Sequence, residues 1–338
     1  MPRRPGRMAW QGGTIVHQGI ESASGPESAR PDAEGGDGLG VVEEALACLA
    51  ILEDVGEGDL TAAAVPEGLR AVAIVSAREG GVASGLGVAS RVFTIIDPAI
   101  VVDPLVRPGE RFMPGAKLMR AGGSARSLLT AERSALNFLQ RLSGIATATA
   151  RFVEAVAGTS ARITDTRKTA PGLRFLEKEA VRHGGGVNHR LGLYDAVMIK
   201  DNHVEAAGGI AAAVAAARAA NPGAPIIVEA RTLAEAEIAA RLGVGRILLD
   251  NLKPAQIDAC VGAIRSIERT LDLPSDEARW IAGTWRPGDS SIQIEVSGGI
   301  TLENARDFAL PGVDFLSIGA ITHSVRAIDL TMDLLTEA

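Results

Sequence analysis

The chain has 338 residues, and its 34 Lys and Arg against 41 Asp and Glu give a formal net charge of −7 at pH 7. We do not expect nucleic acid to be the main partner of such an acidic chain. Its two cysteines, Cys48 and Cys260, have no metal-ligand spacing, which argues against a disulfide framework and a zinc site. The most apolar stretch, residues 209–220, is short and interrupted by Arg218, so we expect no membrane span and a cytoplasmic protein.

Residues 1–38 differ in composition from the rest of the chain. They are rich in Gly, Pro, Ser, Arg and Glu and lack a sustained apolar periodicity. Because such a segment cannot bury enough apolar surface to fold alone, we predict a disordered extension. Its early arginines are followed by no apolar core region, and its acidic residues count against a targeting peptide.

Residues 39–143 have the pattern of a small α/β domain. Apolar residues at helical spacing predict a helix over residues 41–52, and short apolar runs predict strands over 71–77, 92–96 and 99–102. A long helical pattern follows, with Thr130 as its predicted N-cap.

After Gly158 the chain alternates between short apolar runs and helical segments. The predicted strands are residues 162–164, 196–199, 225–228, 246–249, 292–296 and 313–318, with helices such as 233–242 and 254–269 between them. Strands that alternate with helices form a parallel sheet, and six such units favour a β/α-barrel.

Each of these apolar runs is followed by polar or glycine residues. In a β/α-barrel the carboxyl ends of all strands meet at one mouth, where the active site lies. The residues at the six ends are Asp165, Arg167 and Lys168; Lys200, Asp201 and His203; Glu229; Asp250 and Asn251; Ser297, Gly298 and Gly299; and Gly319, His323 and Ser324. We therefore predict one catalytic site formed by all six ends.

Residues 162–203 are locally cationic in an acidic protein. They contain eight Lys and Arg against five acids, together with three of the five histidines. The glycines at 184–186 interrupt these charges, which argues against the alternative of a single solvated helix face. Because a cationic cleft attracts anionic ligands, we predict a site for a small, highly charged anion.

The last two strand ends have the composition of a phosphate-binding loop. Gly298 and Gly299 allow backbone N–H groups to approach an anion. Thr301 is predicted to begin a helix whose N-terminus favours negative charge. Gly319 and His323 are expected to complete this phosphate site.

Several motifs together are specific enough to indicate a family. In the C-terminal part they are TRKT (166–169), HGGGVNHRLGL (183–193), IKDNH (199–203), LLDN (248–251), SGGI (297–300) and SIGAITHS (317–324). In the N-terminal part they are EDVGEGDLT (53–61) and LTAERSALNFLQRLSGIAT (129–147). From about Leu39 to the C-terminus, the chain resembles the quinolinate phosphoribosyltransferases, the decarboxylating nicotinate-nucleotide pyrophosphorylases of NAD biosynthesis.

The resemblance implies an α/β fold with two parts. A mixed α/β N-terminal domain (39–143), with residues 325–338 packed on it, would lie beside an open β/α-barrel (144–324), the type II phosphoribosyltransferase fold. It implies a homodimer, or a higher oligomer built on it, in which the N-terminal part of one subunit covers the barrel of the other. The implied reaction joins quinolinate to phosphoribosyl pyrophosphate with Mg²⁺ and yields nicotinate mononucleotide, pyrophosphate and CO₂.

The same resemblance implies the site residues. Quinolinate is expected to contact Arg133 (reaching in from a second subunit), Arg167, Lys168, His189, Arg190 and Lys200. Phosphoribosyl pyrophosphate is expected to contact Lys168, Glu229, Asp250, Ser297, Gly298, Gly299, Gly319 and His323. The implied catalytic residues are Lys168, Lys200, Glu229 and Asp250, and Mg²⁺ is expected at Glu229 and Asp250, directly or through water. The residue types suit this chemistry, since two polyanions need many cations and planar carboxylates suit Arg.

The chain departs from the family pattern in two places. Close to Glu229 the family usually has further acids, but this chain has Ile227 and Arg231. Residues 273–290 have the character of an insertion before the strand that leads into SGGI.

Three other interpretations stay open at this point. A related pyrophosphorylase-like protein of molybdenum-transport operons would share the fold. A Schiff-base aldolase would use Lys168 or Lys200 as its nucleophile. A non-catalytic phosphosugar-binding protein is a third, although binding alone would not require both Glu229 and Asp250.

Overall fold

The computed structural model describes residues 9–11, 14–16, 37–271, 279–281, 284–286 and 291–336. Most of the extension predicted for residues 1–38 therefore lies outside the described residues. Within it, β1 (Ala9–Gln11) and β2 (Thr14–Val16) pair as an antiparallel hairpin.

Residues 36–338 form one compact unit. Its N-terminal elements are α1 (Asp37–Asp54), a 3₁₀ turn (Thr61–Ala64), β3 (Arg70–Ala77), β4 (Gly81–Val82), α2 (Leu86–Ile96), β5 (Val101–Pro104), β6 (Arg111–Phe112), β7 (Lys117–Ser124) and α3 (Ala125–Ala155). The helix predicted over 41–52 and the strand predicted over 71–77 are confirmed as α1 and β3.

The strand predicted over residues 92–96 is wrong, because these residues belong to α2. A run of β-branched and aromatic residues suits a strand, but here Val88, Val92 and Phe93 recur at helical spacing and bury one face of the helix. The strand predicted over 99–102 exists as β5, shifted by two residues towards the C-terminus.

Thr130 is not the N-cap of the long helix. Helix α3 begins at Ala125, and the hydroxyl of Ser124 accepts a hydrogen bond from the backbone N–H of Ser127. The hydroxyl of Thr130 instead donates to Asp59 Oδ2 at 2.8 Å, which ties the first turns of α3 to the loop after α1.

The C-terminal elements alternate between strands and helices as predicted. They are β8 (Arg162–Thr164), α4 (Arg174–His183), β9 (Val197–Ile199), α5 (Asp201–Ala207), α6 (Ile210–Ala220), β10 (Ile226–Ala230), α7 (Leu233–Arg241), β11 (Arg246–Asp250), α8 (Pro254–Glu268), β12 (Arg279–Ile281), β13 (Thr284–Arg286), β14 (Gln293–Ser297), α9 (Ala305–Phe308), β15 (Phe315–Ser317), α10 (Ala320–His323) and β16 (Leu330–Thr336). All six predicted strands are confirmed, with every end within two residues.

A six-stranded parallel sheet carries the carboxyl ends that matter for function. Its strand order is β8-β15-β14-β11-β10-β9, with each neighbouring pair parallel. Among the described strands, β8 and β9 are the two ends of this order and do not pair with each other, although Thr164 of β8 also forms a parallel bridge to Val187. The described part of the predicted insertion, β12 and β13, is a separate antiparallel hairpin, and the rest of residues 273–290 lies outside the described residues.

A second sheet is antiparallel, in the order β16-β3-β7-β5. Strand β16 pairs with β3 over its whole length, from Leu330 opposite Ala77 to Thr336 opposite Ala71, so the end of the chain returns to the N-terminal sheet. At Gly144 in α3, an added Cβ would lie 2.3 Å from the carbonyl oxygen of Arg326. Only glycine allows this close approach of α3 to the C-terminal segment.

The interior is built mainly from Ala, Val, Leu and Ile, because aromatic residues make up only 3% of the chain. Phe93 in α2 and Phe315 in β15 are the largest apolar side chains that are fully buried. Within the described residues, we find no helix that combines the length and the apolar character needed to cross a membrane.

Candidate functional site

A cavity of about 750 Å³ lies at the carboxyl ends of the parallel strands. The parallel register brings these ends together, since Asp250 lies opposite Ser297 and Ser317 lies opposite Thr164. Of the residues predicted to contact substrates, all but Arg133 line the cavity, namely Arg167, Lys168, His189, Arg190, Lys200, Glu229, Asp250, Ser297, Gly298, Gly299, Gly319 and His323. Asp165, His203 and Ser324, also predicted at the strand ends, do not line it.

Three buried nitrogen atoms of residues that line this cavity have no hydrogen-bond partner. They are Arg167 Nε, His189 Nε2 and Arg190 Nε, and no other buried side-chain nitrogen or oxygen of the described residues lacks one. An unpaired buried donor costs roughly 1–3 kcal/mol, so each one in a native protein calls for an explanation. All three belong to residues of one cavity, and a ligand with several acceptor oxygens would suit such a set of donors.

The two guanidinium groups carry positive charge into the same corner of the cavity. Arg190 is buried, and its Nη1 donates to the carbonyl oxygen of Ala196 at 2.9 Å. Burial and the nearby charge of Arg167 both lower the pKa of Arg190. An anion between the two groups would remove this repulsion.

The His189 ring is held in the orientation of a hydrogen-bond donor. The backbone N–H of Arg190 donates to His189 Nδ1 at 2.7 Å, so the ring proton is on Nε2. Nε2 lies 3.3 Å from Glu295 Oε2 but makes no hydrogen bond to it. Glu295 is fully buried and accepts hydrogen bonds from Arg246 Nη1 at 3.0 Å and from the Ser317 hydroxyl. The sequence analysis missed Glu295, although a single acid inside an apolar strand is a usable signal.

A buried ion pair supports the loop that carries His189. Asp165 and Lys178 are both fully buried and in contact with each other. Lys178 Nζ donates to the carbonyl oxygen of His189 at 3.0 Å, and the His189 N–H donates to Asp165 Oδ1 at 2.8 Å. Burial raises the pKa of Asp165 to about 6, against the opposing charge of Lys178. This pair fixes the loop from behind, because neither residue lines the cavity.

The other side of the cavity, at the ends of β9, β10 and β11, is acidic. Glu229 and Asp250 line it together with Asp201. Burial, and next the charge of Asp250, raise the pKa of Glu229. Two cations lie among these acids: Lys200, whose Nζ is 3.7 Å from Glu229 Oε2, and Arg231.

The acidic side bears on how Mg²⁺ could bind. Among the described residues, no three His, Cys, Asp or Glu side chains are grouped so that they could hold a metal ion. Glu229 and Asp250 offer two carboxylates. Mg²⁺ that keeps its waters and binds substrate phosphates needs only one or two, so these residues suit an ion that arrives with a phosphorylated substrate.

The loop after β14 has the backbone of an anion cradle. Gly298 and Gly299 have φ angles of +96° and +65°, in the region that favours glycine. A Cβ at Gly298 would lie 2.2 Å from Asn251 Oδ1, so this loop passes very close to the end of β11. The prediction that Thr301 begins a helix is wrong: a turn follows it, and α9 begins four residues later and has only four residues. The cradle therefore depends on the glycine backbone and not on a helix N-terminus.

The end of β15 lies beside this cradle. A Cβ at Gly319 would approach the His323 ring to 3.1 Å and the Lys168 Cδ atom to 3.2 Å. The Lys168 side chain therefore reaches from the segment after β8 to the end of β15, beside Gly319.

Some residues singled out in the sequence lie elsewhere. Arg133 is 58% exposed on α3 and lies 3.8 Å from its neighbour Glu132. His183 Nδ1 lies 2.9 Å from the Ser84 hydroxyl. His203 Nδ1 accepts a hydrogen bond from the backbone N–H of Lys200, the residue directly before α5. Neither histidine lines the cavity.

Comparisons with known proteins agree over most of the compact unit. The family model for the N-terminal domain of quinolinate phosphoribosyl transferase matches residues 59–143, and that for the C-terminal domain matches residues 145–333. The nicotinate-nucleotide pyrophosphorylase [carboxylating] of Mycobacterium leprae is 42% identical over 292 residues, which cover 84% of this chain and 94% of that protein. The chloroplastic enzyme of the same name from Arabidopsis thaliana is 38% identical over 306 residues, 87% of this chain and 83% of that one.

A solved structure gives the same result. The crystal structure of NadC from Streptococcus pyogenes superimposes with a TM-score of 0.79 at 37% identity, and covers 90% of this chain and 100% of that one. Its likeness extends to both the antiparallel and the parallel part, which confirms the mixed α/β fold expected from the sequence. The chain belongs to the quinolinate phosphoribosyltransferase family.

Proposed function

We propose that this protein transfers the phosphoribosyl group of phosphoribosyl pyrophosphate to quinolinate and releases CO₂, forming nicotinate mononucleotide in NAD biosynthesis. One observation carries the proposal: Arg167, His189 and Arg190 line the same cavity, and each has a buried N–H without a hydrogen-bond partner. Quinolinate has two adjacent carboxylates, and their acceptor oxygens match this set of donors. Family membership and the relatives' names support the same substrate.

The cationic corner would hold the pyridine ring. Arg167 and Arg190 would each donate to carboxylate oxygens, and His189 would donate from Nε2. Burial of these groups strengthens each bond and excludes water from the ring nitrogen. Lys168 and Lys200 would add charge at the border with the sugar.

The sugar donor would span the rest of the cavity. The loop with Gly298 and Gly299, together with Gly319 and His323, would hold the 5-phosphate, and Ser297 would lie beside it. Glu229 and Asp250 would face the ribose. Bound to the donor's phosphates, Mg²⁺ supplies charge neutralisation for the leaving pyrophosphate.

In this arrangement no covalent enzyme intermediate is needed. The ring nitrogen of quinolinate forms a bond to C1 of the ribose while the bond from C1 to pyrophosphate breaks and the pyrophosphate takes the electron pair. The carboxylates of Glu229 and Asp250 would stabilise the positive charge that develops on the sugar. When CO₂ leaves, the electron pair of the C2–carboxylate bond stays on C2 as a carbanion that the adjacent pyridinium charge stabilises, and C2 then takes up a proton.

The enzyme should discriminate strongly between quinolinate and nicotinate as substrates. We expect one CO₂ per nicotinate mononucleotide formed from quinolinate, with Mg²⁺ present. Nicotinate lacks one carboxylate and would leave buried donors unpaired, so we expect kcat/KM to fall by about a hundredfold or more. Release of labelled CO₂ and chromatography of the nucleotide measure both. Equal turnover of the two acids, or no CO₂ from quinolinate, would refute the proposed reaction.

A methyl group added at Gly298 should weaken the binding of phosphoribosyl pyrophosphate but not that of quinolinate. In Gly298→Ala the new Cβ would overlap Asn251, so we expect the KM for phosphoribosyl pyrophosphate to rise about tenfold through displacement of the loop. The KM for quinolinate should change little. Gly299→Ala is the matched control, because its φ is also positive but its Cβ would meet nothing within 4 Å. Equal effects of the two substitutions would assign the loss to backbone strain.

We further propose that the protein is a homodimer with shared active sites. Arg133 is exposed and does not line the cavity of its own chain, although the family resemblance assigns it to substrate binding. Exposed apolar side chains lie on elements that contact α3: Leu49 and Leu52 on α1, and Leu60, which is 94% exposed, next to Asp59. The hydrogen bond from Ser134 Oγ to the carbonyl oxygen of Ala50 holds α1 next to this part of α3. An exposed apolar patch of this kind suits an interface between subunits.

A further inference from the structure

Arg231 is a cation in the middle of the acidic side of the cavity. Its Nη1 lies 2.8 Å from Asp201 Oδ2, its Nη2 donates to Glu229 Oε1 at 3.2 Å, and its Nε lies 3.6 Å from Asp250 Oδ2. The three acids come from the ends of three neighbouring strands or the helix that follows. One guanidinium group therefore joins all three carboxylates.

The backbone of Arg231 is fixed as firmly as its side chain. Its N–H donates to Glu235 Oε2 at 2.7 Å, and the same oxygen accepts from the N–H of Thr232. Thr232 and Glu235 form the capping box that begins α7, so Arg231 lies directly before a well-defined helix start. Its side chain remains half exposed and lines the cavity. The guanidinium thus presents N–H groups to the cavity from a fixed position.

The position of Arg231 matches one end of an extended donor molecule. The glycine loop that suits a monophosphate lies at the ends of β14 and β15, whereas Arg231 follows β10, two strands further along the sheet. With the 5-phosphate in the glycine loop and the ribose near Asp250, the diphosphate would point towards the ends of β10 and β9. Three carboxylates alone would repel a diphosphate there.

Resting on the proposed function, we propose that Arg231 is a built-in cation for the diphosphate of the sugar donor. It takes over part of the charge neutralisation for which the acidic side would otherwise depend on a divalent cation. Its charge cannot be removed by a chelator and persists at every pH at which the protein is folded. Each of its three nitrogens faces one carboxylate, and because Nη1 and Nη2 each carry a second N–H, these two remain to bind phosphate oxygens.

The test is calorimetric titration of inorganic pyrophosphate into the full chain, first in EDTA and then in Mg²⁺. The wild type should bind pyrophosphate in EDTA, and Arg231→Gln should weaken that binding about tenfold or more, the size expected for lost charge-assisted hydrogen bonds. Excess Mg²⁺ should reduce the difference to about threefold or less, because the ion then supplies the missing charge. Arg231→Lys, which keeps the charge without the planar group, should fall between the two.

Arg241→Gln is the matched control. Arg241 is the last residue of α7, the helix that Arg231 precedes; it pairs with Glu237 at 3.3 Å and does not line the cavity, so its replacement should leave pyrophosphate binding unchanged. If wild type binds no pyrophosphate in EDTA, or if Arg231→Gln binds it as tightly as wild type, the proposal is overturned. The proposed reaction is tested separately by release of CO₂ from quinolinate in Mg²⁺, which can fail while the binding result in EDTA holds.

Discussion

Replacing Arg167 by Gln is expected to lower kcat/KM for quinolinate by about a thousandfold, the loss of roughly 4 kcal/mol in charge-assisted hydrogen bonds to a carboxylate. The folded protein should be as stable as the wild type, or more stable. The guanidinium group of Arg167 has a buried Nε without a partner, and its charge opposes that of Arg190. Replacing Arg167 therefore removes a hydrogen-bond donor from the substrate complex but does not lower the stability of the free protein.

Steady-state kinetics and thermal unfolding of the same preparations measure the two parts of this prediction. Arg182→Gln is the matched control, because Arg182 belongs to the same cationic segment but is exposed and pairs with Glu179 at 3.1 Å. We expect it to retain wild-type kinetics. A large fall in the unfolding temperature of Arg167→Gln would mean that Arg167 supports the fold, and loss of activity could not then be assigned to the substrate.

Most elements of the fold, but not all of them, could be predicted from the sequence. The parallel strands were predicted to within two residues, because buried parallel strands are continuous apolar runs bounded by polar residues. Residues 92–96 were misassigned, because a short run of Val, Phe, Thr and Ile satisfies both a strand and a buried helix. What decides between them is the tertiary contact of Val92 and Phe93, which lies outside the local pattern.

The residues of the functional site also could be predicted only in part. Residues that follow apolar runs could be placed at one mouth, since parallel strands end at the same edge of a sheet. Glu295 and Lys178 act through contacts with His189 from other elements, and such long-range contacts leave no periodic signal. Arg231 was visible as a departure from the family pattern, but its link to three carboxylates required coordinates.

Mixing two inactive variants should restore activity if the active site is shared between subunits. Arg133→Ala and Lys200→Ala should each be nearly inactive alone. After subunit exchange, a mixed dimer has one site with both lesions and one intact site, because Lys200 then comes from one chain and Arg133 from the other. Random pairing makes half of the dimers mixed, each with one good site of two, so about a quarter of wild-type activity is the maximum.

Neither substitution should disturb the fold, since Arg133 is exposed and Lys200 is half exposed with its Nζ 3.7 Å from Glu229. Thermal unfolding checks this, and subunit exchange is verified with one tagged chain. The matched control mixes Lys200→Ala with Arg167→Gln, whose lesions both lie in a chain's own cavity. This pair should recover nothing, because every site in a mixed dimer then carries one lesion. Recovery in the first mixture alone requires that Arg133 act in the site of a neighbouring subunit; no recovery after verified exchange would return Arg133 to its own chain and remove the argument for a shared site.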